Sequence, residues 1–454
     1  MKTKLFLCLS LCLCVFVANS FAQKLKPKLN PEISKIIKEI DAKNIEATIR
    51  KLVSFGTRNT LSEQDNPTRG IGAARDWIFS EFSKISADCG NCLTVEKQTF
   101  VQPKDNRRIP EPTTLTNVIA TLKGTTNPER VYVVSGHYDS MCNLDATDSK
   151  CDAPGANDDA SGSAAVIEMA RVMSKQKFEA TIVFMNVAGE EQGLLGATYF
   201  AEQAKINKMN IEAMFTNDII GGVMSYKNAP DRQSVRVFAE GVPSNETEAE
   251  ATTRRSVGGE NDSSSRQMAR FIKDVADMYS PKFSVQIMYR RDRYGRGGDH
   301  IPFLERGFSA VRFTEPHEDY THQHQSVKMV DGAQYGDLPE FVDFGYVANV
   351  ARINAAALAS LALAPAKPKN VAISTGRLTN DTDLKWDANT DADLAGYEIV
   401  WRDTTSPVWT NSLNVSNVTS FTMKEMSKDN YFFGVRAVDK DGNKSPVVYP
   451  KPTR

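Results

Sequence analysis

His137, Asp158, the adjacent pair Glu190 and Glu191, Asp218, and one of the late histidines His317, His322 and His324 follow one another in an order that suits one chemistry. Imidazoles and carboxylates are the side chains that ligate a hydrolytic divalent metal such as zinc, and a further carboxylate is needed to take a proton from the attacking water. All five histidines of the 454-residue chain fall between positions 137 and 324.

Each of these residues also has an ordinary alternative. His137-Tyr-Asp139 reads as a surface turn, or as a ligand whose far ring nitrogen is held by the carboxylate two residues on. Asp158 and Asp159 lie in Pro154-Gly-Ala-Asn-Asp-Asp-Ala-Ser-Gly-Ser, where helix capping alone would explain them. Capping does not explain the approach through Pro, Gly and Ala, which leaves room for a carboxylate bridging two cations. Glu190 and Glu191 read as solubilising charges, or as one ligand and one base on an irregular turn. Asp218 reads as a cap before Gly221-Gly222, or as a carboxylate at the mouth of an apolar run, where an unpaired charge is costly. Their order and common placement favour the metal reading over five coincidences.

That placement depends on the elements before them. Leu115–Leu122, Val131–Ser135, Ala180–Val187, Ile211–Asn217 and Ser309–Phe313 are apolar, β-branched runs that read as strands. Helical spacing marks residues 31–55 as one or two short helices, with further helices over 73–85, 161–173, 197–204, 263–279 and 341–363. Strands alternating with helices predict an α/β fold, a mainly parallel central sheet flanked by helices. A parallel sheet delivers the residues after its strands to one edge, where ligands bind in such folds.

Composition bounds the rest. With 24% charged residues and a formal net charge of −1, the chain offers no electrostatic case for nucleic acid or an anionic membrane. Lys2 and Lys4, the stretch Leu5–Ala18 and Ser20-Phe21-Ala22 read as a signal peptide over 1–22, with the mature chain exported and starting at Gln23. Fourteen residues in that stretch are fewer than the roughly 20 that span a bilayer, so no membrane span is expected. Residues 23–32 read as a short propeptide remnant. Outside the leader the cysteines fall into two close pairs, Cys89 with Cys92 and Cys142 with Cys151, expected as disulfides in an oxidising compartment. A redox or zinc-knuckle reading of Cys89-Gly-Asn-Cys92 lacks the second CxxC or the strand–helix context it needs.

Ala364-Pro-Ala-Lys-Pro-Lys369 is a linker, and residues 370–454 change to short alternating strands, a small all-β sandwich. They resemble a fibronectin type III domain, with Trp386 in the place of its buried Trp and Tyr431 in that of its corner tyrosine. Such a module is expected to act as a spacer or as a surface or matrix contact rather than in catalysis.

From about residue 33 to 363 the chain resembles the secreted di-zinc aminopeptidases of the bacterial leucyl aminopeptidase type, in peptidase clan MH. The motifs are Phe55-Gly-Thr-Arg-Asn-Thr, Asn117-Val-Ile-Ala-Thr-Leu-Lys-Gly, Gly136-His-Tyr-Asp-Ser, Pro154-Gly-Ala-Asn-Asp-Asp-Ala-Ser-Gly, Gly189-Glu-Glu-Gln-Gly-Leu-Leu-Gly and Asn217-Asp-Ile-Ile-Gly. The resemblance implies a zinc peptidase domain over 23–363 and two zinc ions bridged by Asp158. His137 and Asp218 then complete one metal, and Glu191 and a late histidine the other. Glu190 is the implied general base for a metal-activated water, Asp139 orients His137, and Asp159 follows the bridging Asp. In Tyr320-Thr-His322-Gln-His-Gln-Ser326 the pattern selects His322, with Ser326 standing where the family has Asp, and leaves His324 and His317 as alternatives. Asp299-His300-Ile-Pro-Phe resembles an acidic segment behind the ligands.

The implied activity is removal of N-terminal residues from peptides with a free N-terminus. A mono-zinc glutaminyl cyclase, a carboxypeptidase or dipeptidase of the same clan, and a non-enzymatic binding protein are the rivals. The Arg-rich run Tyr289–Arg296 keeps the dipeptidase reading in view, because an arginine could hold a short peptide's carboxylate. A binding protein has no use for the Glu190–Glu191 pair.

Overall fold

Strand segments that are apolar at successive positions can form only where a sheet is covered on both faces. In the computed structural model, which describes residues 29–224 and 230–454, eight strands form one such sheet. They are β1 (Leu93–Gln102), β2 (Thr113–Leu122), β3 (Asn127–His137), β4 (Ala180–Val187), β5 (Asn210–Asn217), β6 (Ser234–Phe238), β7 (Ser284–Met288) and β8 (Ala310–Thr314), in the order β1-β2-β4-β3-β5-β8-β6-β7. The signal peptide expected over 1–22 and residues 23–28 lie outside the described residues.

The expectation of a mainly parallel sheet is corrected to a mixed one. The inner strands β4, β3, β5 and β8 are mutually parallel, as are β6 and β7. The β1–β2, β2–β4 and β8–β6 pairs are antiparallel. Only a short loop joins β1 to β2, and a parallel return requires a crossover of a dozen or more residues.

The helices are α1 (Pro31–Glu39), α2 (Ala42–Val53), α3 (Gly70–Asp88), α4 (Ala160–Met173), α5 (Leu195–Ile206), α6 (Glu248–Val257), α7 (Ser264–Tyr279), α8 (His300–Glu305) and α9 (Phe344–Leu363). Successive strand residues point to opposite faces. Tyr132 and Val134 of β3 join the core under α1–α4, α7 and α9, whereas Val131 and Val133 join a second core under α5 and α8. The α9 helix is long and apolar enough to cross a membrane, yet 78% of its apolar window is buried inside the fold.

A small hairpin, β9 (Lys328–Val330) with β10 (Ala333–Tyr335), precedes α9. After α9 the chain forms β11 (Ala372–Ser374), β12 (Thr382–Lys385), β13 (Leu394–Asp403), β14 (Asn411–Val415), β15 (Ser420–Met423), β16 (Tyr431–Asp439) and β17 (Lys451–Thr453). These make a four-stranded and a three-stranded sheet that share one core, including Trp386, Leu384, Ile399 and Val435. Tyr431 does not hold the corner position expected of it. It is half-buried against Phe433, and it is Tyr397 that is fully buried, its hydroxyl accepting the Asn389 N–H at 2.7 Å.

The small sheets dock on the large domain through charge. Asp262 is buried between Arg270 (2.8 Å) and Arg402 (2.7 Å), and the Trp409 indole donates to Gln267 Oε1 at 3.0 Å. Cys89–Cys92 and Cys142–Cys151 are both disulfides.

Candidate metal centre

Strand register brings the sequence-distant residues to one edge. His137 ends β3 opposite Val187, the last residue of β4, and Ala188-Gly189 then leads into Glu190 and Glu191. Asp218 follows β5, whose last residue Asn217 is paired with Phe313 of β8. The C-terminal ends of the parallel strands thus supply His137, the Glu pair and Asp218 together.

Four buried polar groups fix this edge. The Arg58 guanidinium donates to the carbonyls of Tyr138 (2.7 Å), Pro154 (2.6 Å) and Gly155 (2.9 Å), tying the end of β3 to the turn before Asp158. Asp139 accepts the backbone N–H of Glu190 (3.3 Å) and of Glu191 (3.1 Å) and lies 3.5 Å from His137 Nδ1. Asp159 caps α4 through the Gly162 N–H (2.9 Å) and also takes the His137 N–H (3.0 Å). Asp337 accepts the Asp158 N–H at 2.7 Å. The peptide between Asp158 and Asp159 is cis.

Asp158 is common to two groups of ligand-type atoms. Its Oδ1 lies 3.0 Å from His137 Nε2, which is 3.9 Å from Asp218 Oδ1. Its Oδ2 lies 2.8 Å from His324 Nε2, which is 3.0 Å from Glu191 Oε1. Burial alone would depress His324, but the Glu191 and Asp158 carboxylates raise its pKa to about 11. Burial works to raise Asp218, and the Arg312 guanidinium 2.9 Å away together with His137 more than offsets it, leaving the carboxyl below its ordinary range. Among the described residues, His137 Nε2 and Glu191 Oε1 are buried with no well-directed hydrogen bond, each facing another ligand atom at 3.0 Å. A dry cluster of carboxylates and orphaned ligand atoms is the environment a cation satisfies, so the residues present fit zinc.

Glu190 lies beside His137 and Glu191 and keeps some solvent access. Burial pushes its carboxyl well above the ordinary range. Asp299 is fully buried, its oxygens have no partner among the described residues, and burial raises it to about 7. His300 turns away from the cluster, its Nε2 lying 2.8 Å from the Arg291 carbonyl.

The expectation for His322 is corrected. Its ring stacks on Phe341 at 3.7 Å with Nδ1 3.5 Å from Asp319, and it is absent from both ligand groups. His324 adopts φ +57°, which turns its side chain to Asp158 and Glu191. His317 is exposed. Beside Asp158 a cavity of about 210 Å³ is lined by Ile219, Val223, Met224, His322 and Phe341, with Glu315 and His317 among its polar members. Arg312, Asp337 and Gln323, whose Nε2 donates to Asp158 Oδ2 at 2.8 Å, escaped the sequence reading. A buried arginine in the apolar strand β8 was the one available signal, since it demands a carboxylate partner.

The fold resembles that of LapB from Legionella pneumophila (TM-score 0.52, 19% identity, 73% of this chain and 75% of that one). It also resembles the LapA aminopeptidase of the same organism (TM-score 0.50, 20% identity, 73% and 75%). A probable zinc metalloprotease of Leptosphaeria maculans is 49% identical over 94% of this chain and 98% of its own length. Another, of Pyrenophora tritici-repentis, is 48% identical over 93% and 87%. The model of peptidase family M28 matches residues 117–338, which hold every residue of both ligand groups. The chain belongs to peptidase family M28.

Proposed function

We propose that the protein is an exported di-zinc aminopeptidase that removes N-terminal residues from peptides. The observation that carries this reading is the position of Asp158, whose two oxygens face separate imidazoles 3.0 Å and 2.8 Å away. His137, Asp158 and Asp218 would hold one ion, and Asp158, Glu191 and His324 the other. The likeness to relatives described as zinc metalloproteases supports the choice of metal. Zinc bound there supplies Lewis-acid polarisation of a substrate carbonyl and brings the acidity of water towards neutral.

The chain's own residues do the rest. Glu190, oriented by its backbone bond to Asp139, accepts a proton from the attacking water and returns it to the leaving amine. Carboxylates left uncompensated by the chain's cations favour a substrate's free ammonium over an acylated terminus. The cavity lined by Ile219, Met224 and Phe341 takes the side chain of the first residue, with Glu315 at its polar end. Export through a signal peptide over 1–22 and a fibronectin type III-like sandwich over 370–454 complete the proposal. Support for the sandwich comes from the core shared by its two sheets.

Metal analysis and kinetics on one preparation test the reading. Glu190→Gln should retain two zinc ions per chain and lose turnover by a factor on the order of 10² to 10⁴. Peptides with a free α-amine should be cleaved and their acetylated forms spared. Cleavage of blocked peptides, or undiminished turnover in the Glu190 variant, rejects the proposal.

A further inference from the structure

The four arginines between 290 and 296 have different surroundings. Arg293 is buried, bonded to Asp292 (3.0 Å), Glu318 (2.9 Å) and the Gly297 carbonyl (2.9 Å), and is structural. Arg291 pairs with the exposed Glu305 at 2.7 Å, and Arg290 stacks on Tyr294 at 3.6 Å. Arg296 is different. Its side chain is 31% exposed, and its one carboxylate partner, Glu318, is already held by Arg236 at 3.1 Å and Arg293 at 2.9 Å. Three guanidiniums converge on Glu318, and among the described residues only Arg293 has a second carboxylate, Asp292, so one positive charge is left over, and Arg296 is the most exposed of the three.

Arg296 also approaches the metal centre. Its Nη1 lies 3.5 Å from Gln323 Oε1, and the amide of Gln323 donates to Asp158 Oδ2 at 2.8 Å. A single glutamine side chain therefore separates the guanidinium from the carboxylate common to both ligand groups. Extended peptide advances about 3.3–3.6 Å per residue, so a group at that remove reaches one or two residues past the scissile bond. Arg296 also borders an open cavity of about 470 Å³ formed by residues 290–296 and Ile301.

Resting on the aminopeptidase reading, we infer that Arg296 binds a carboxylate one or two residues beyond the scissile bond. The carboxylate is the C-terminal one of a dipeptide or tripeptide, so short peptides are the favoured substrates. A guanidinium with surplus charge forms a charge-assisted pair with such a group.

The experiment compares Leu-Gly-Gly, its C-terminal amide and Leu-Glu-amide on the full, zinc-loaded chain. Wild type should prefer the free acid over the amide tenfold or more in kcat/KM, mainly through KM. Arg296→Gln should abolish that preference and Arg296→Lys restore part of it. Equal losses on acid and amide would mean that Arg296 serves only to position Glu318, and would overturn the inference. A gain on Leu-Glu-amide equal to that on the free acid would overturn the assignment to the terminal carboxylate. Calorimetry separates this from failure of the aminopeptidase reading. In a Glu190→Gln background the free acid should bind about tenfold tighter than the amide, and adding Arg296→Gln should remove the difference, whether or not wild type cleaves either peptide. Equal affinities for acid and amide reject the inference by themselves.

Discussion

Asp218 and Arg312 show how a single buried ion pair orients a site. Arg312 Nη1 takes Asp218 Oδ2 at 2.9 Å, lies 3.5 Å from Asp292 and donates to the Gly297 carbonyl, which leaves Asp218 Oδ1 turned to His137. Arg312→Met strands the buried Asp218 carboxylate and leaves Asp292 to Arg293 alone, and the expected cost is about 3–5 kcal/mol in chemical denaturation. The two late histidines should separate cleanly. His324→Ala should lower bound zinc from two ions to one, while His322→Ala should leave the metal content unchanged and alter KM through the cavity it lines. Unchanged zinc in the His324 variant would reject its place in the centre. His137, Glu190, Glu191 and Asp218 stood out because each follows an apolar run, and Asp158 because capping does not explain its Pro-Gly-Ala approach. The choice between His322 and His324 was not, because it turns on one left-handed residue in an irregular loop, and spacing carries no dihedral angle.

At the scale of elements, the first turn of α4 meets the ends of β3 and β5 without side chains between them. A Cβ on Gly162 would fall 2.2 Å from the Asn217 carbonyl oxygen, and one on Gly136 would fall 2.5 Å from the Gly162 backbone. This contact sets the distance between Asp158, just before the helix, and His137 and Asp218 at the strand ends. Gly162→Ala should cost about 1–3 kcal/mol and reduce zinc affinity in the same variant, since backbone must move in the region that carries the ligands. Retained affinity with lost stability would separate the two effects. The parallel inner strands and long helices were readable from their apolar runs. Missed elements include β1, a partly exposed edge strand, and β6 and β7, five residues each with polar positions interleaved. Runs that short do not distinguish a strand from a loop.

The whole molecule is less modular than its linker implied. The small sheets, expected to act as a spacer or surface contact, also supply Arg402 to the buried Asp262, and Pro407 accepts from both Arg270 Nε (2.8 Å) and the Tyr289 hydroxyl (2.6 Å). Tyr289 is the first residue of the arginine-rich segment that ends at Arg296, so the C-terminal sheets hold the root of that segment. Removing residues 366–454 should therefore lower the melting temperature and weaken discrimination between peptide acids and amides. Asp262→Asn, which leaves two guanidiniums buried without their carboxylate, should cost about 3–5 kcal/mol. Chelation should lower the melting temperature further, restored by zinc, because ligand bound only to the native state stabilises it by mass action.

The loop closed by Cys142 and Cys151 meets the site where the Leu144 N–H donates to the His324 carbonyl at 3.0 Å. A cross-link nine residues long is thereby joined to the residue that sequence found hardest to place. The consequence is an order of assembly. Closure of the disulfide is expected to precede full metal loading. The Cys142→Ser/Cys151→Ser double variant should then fold with the His137 group able to take zinc and the His324 group slow to fill, a difference that stopped-flow metal uptake would record as two phases in place of one.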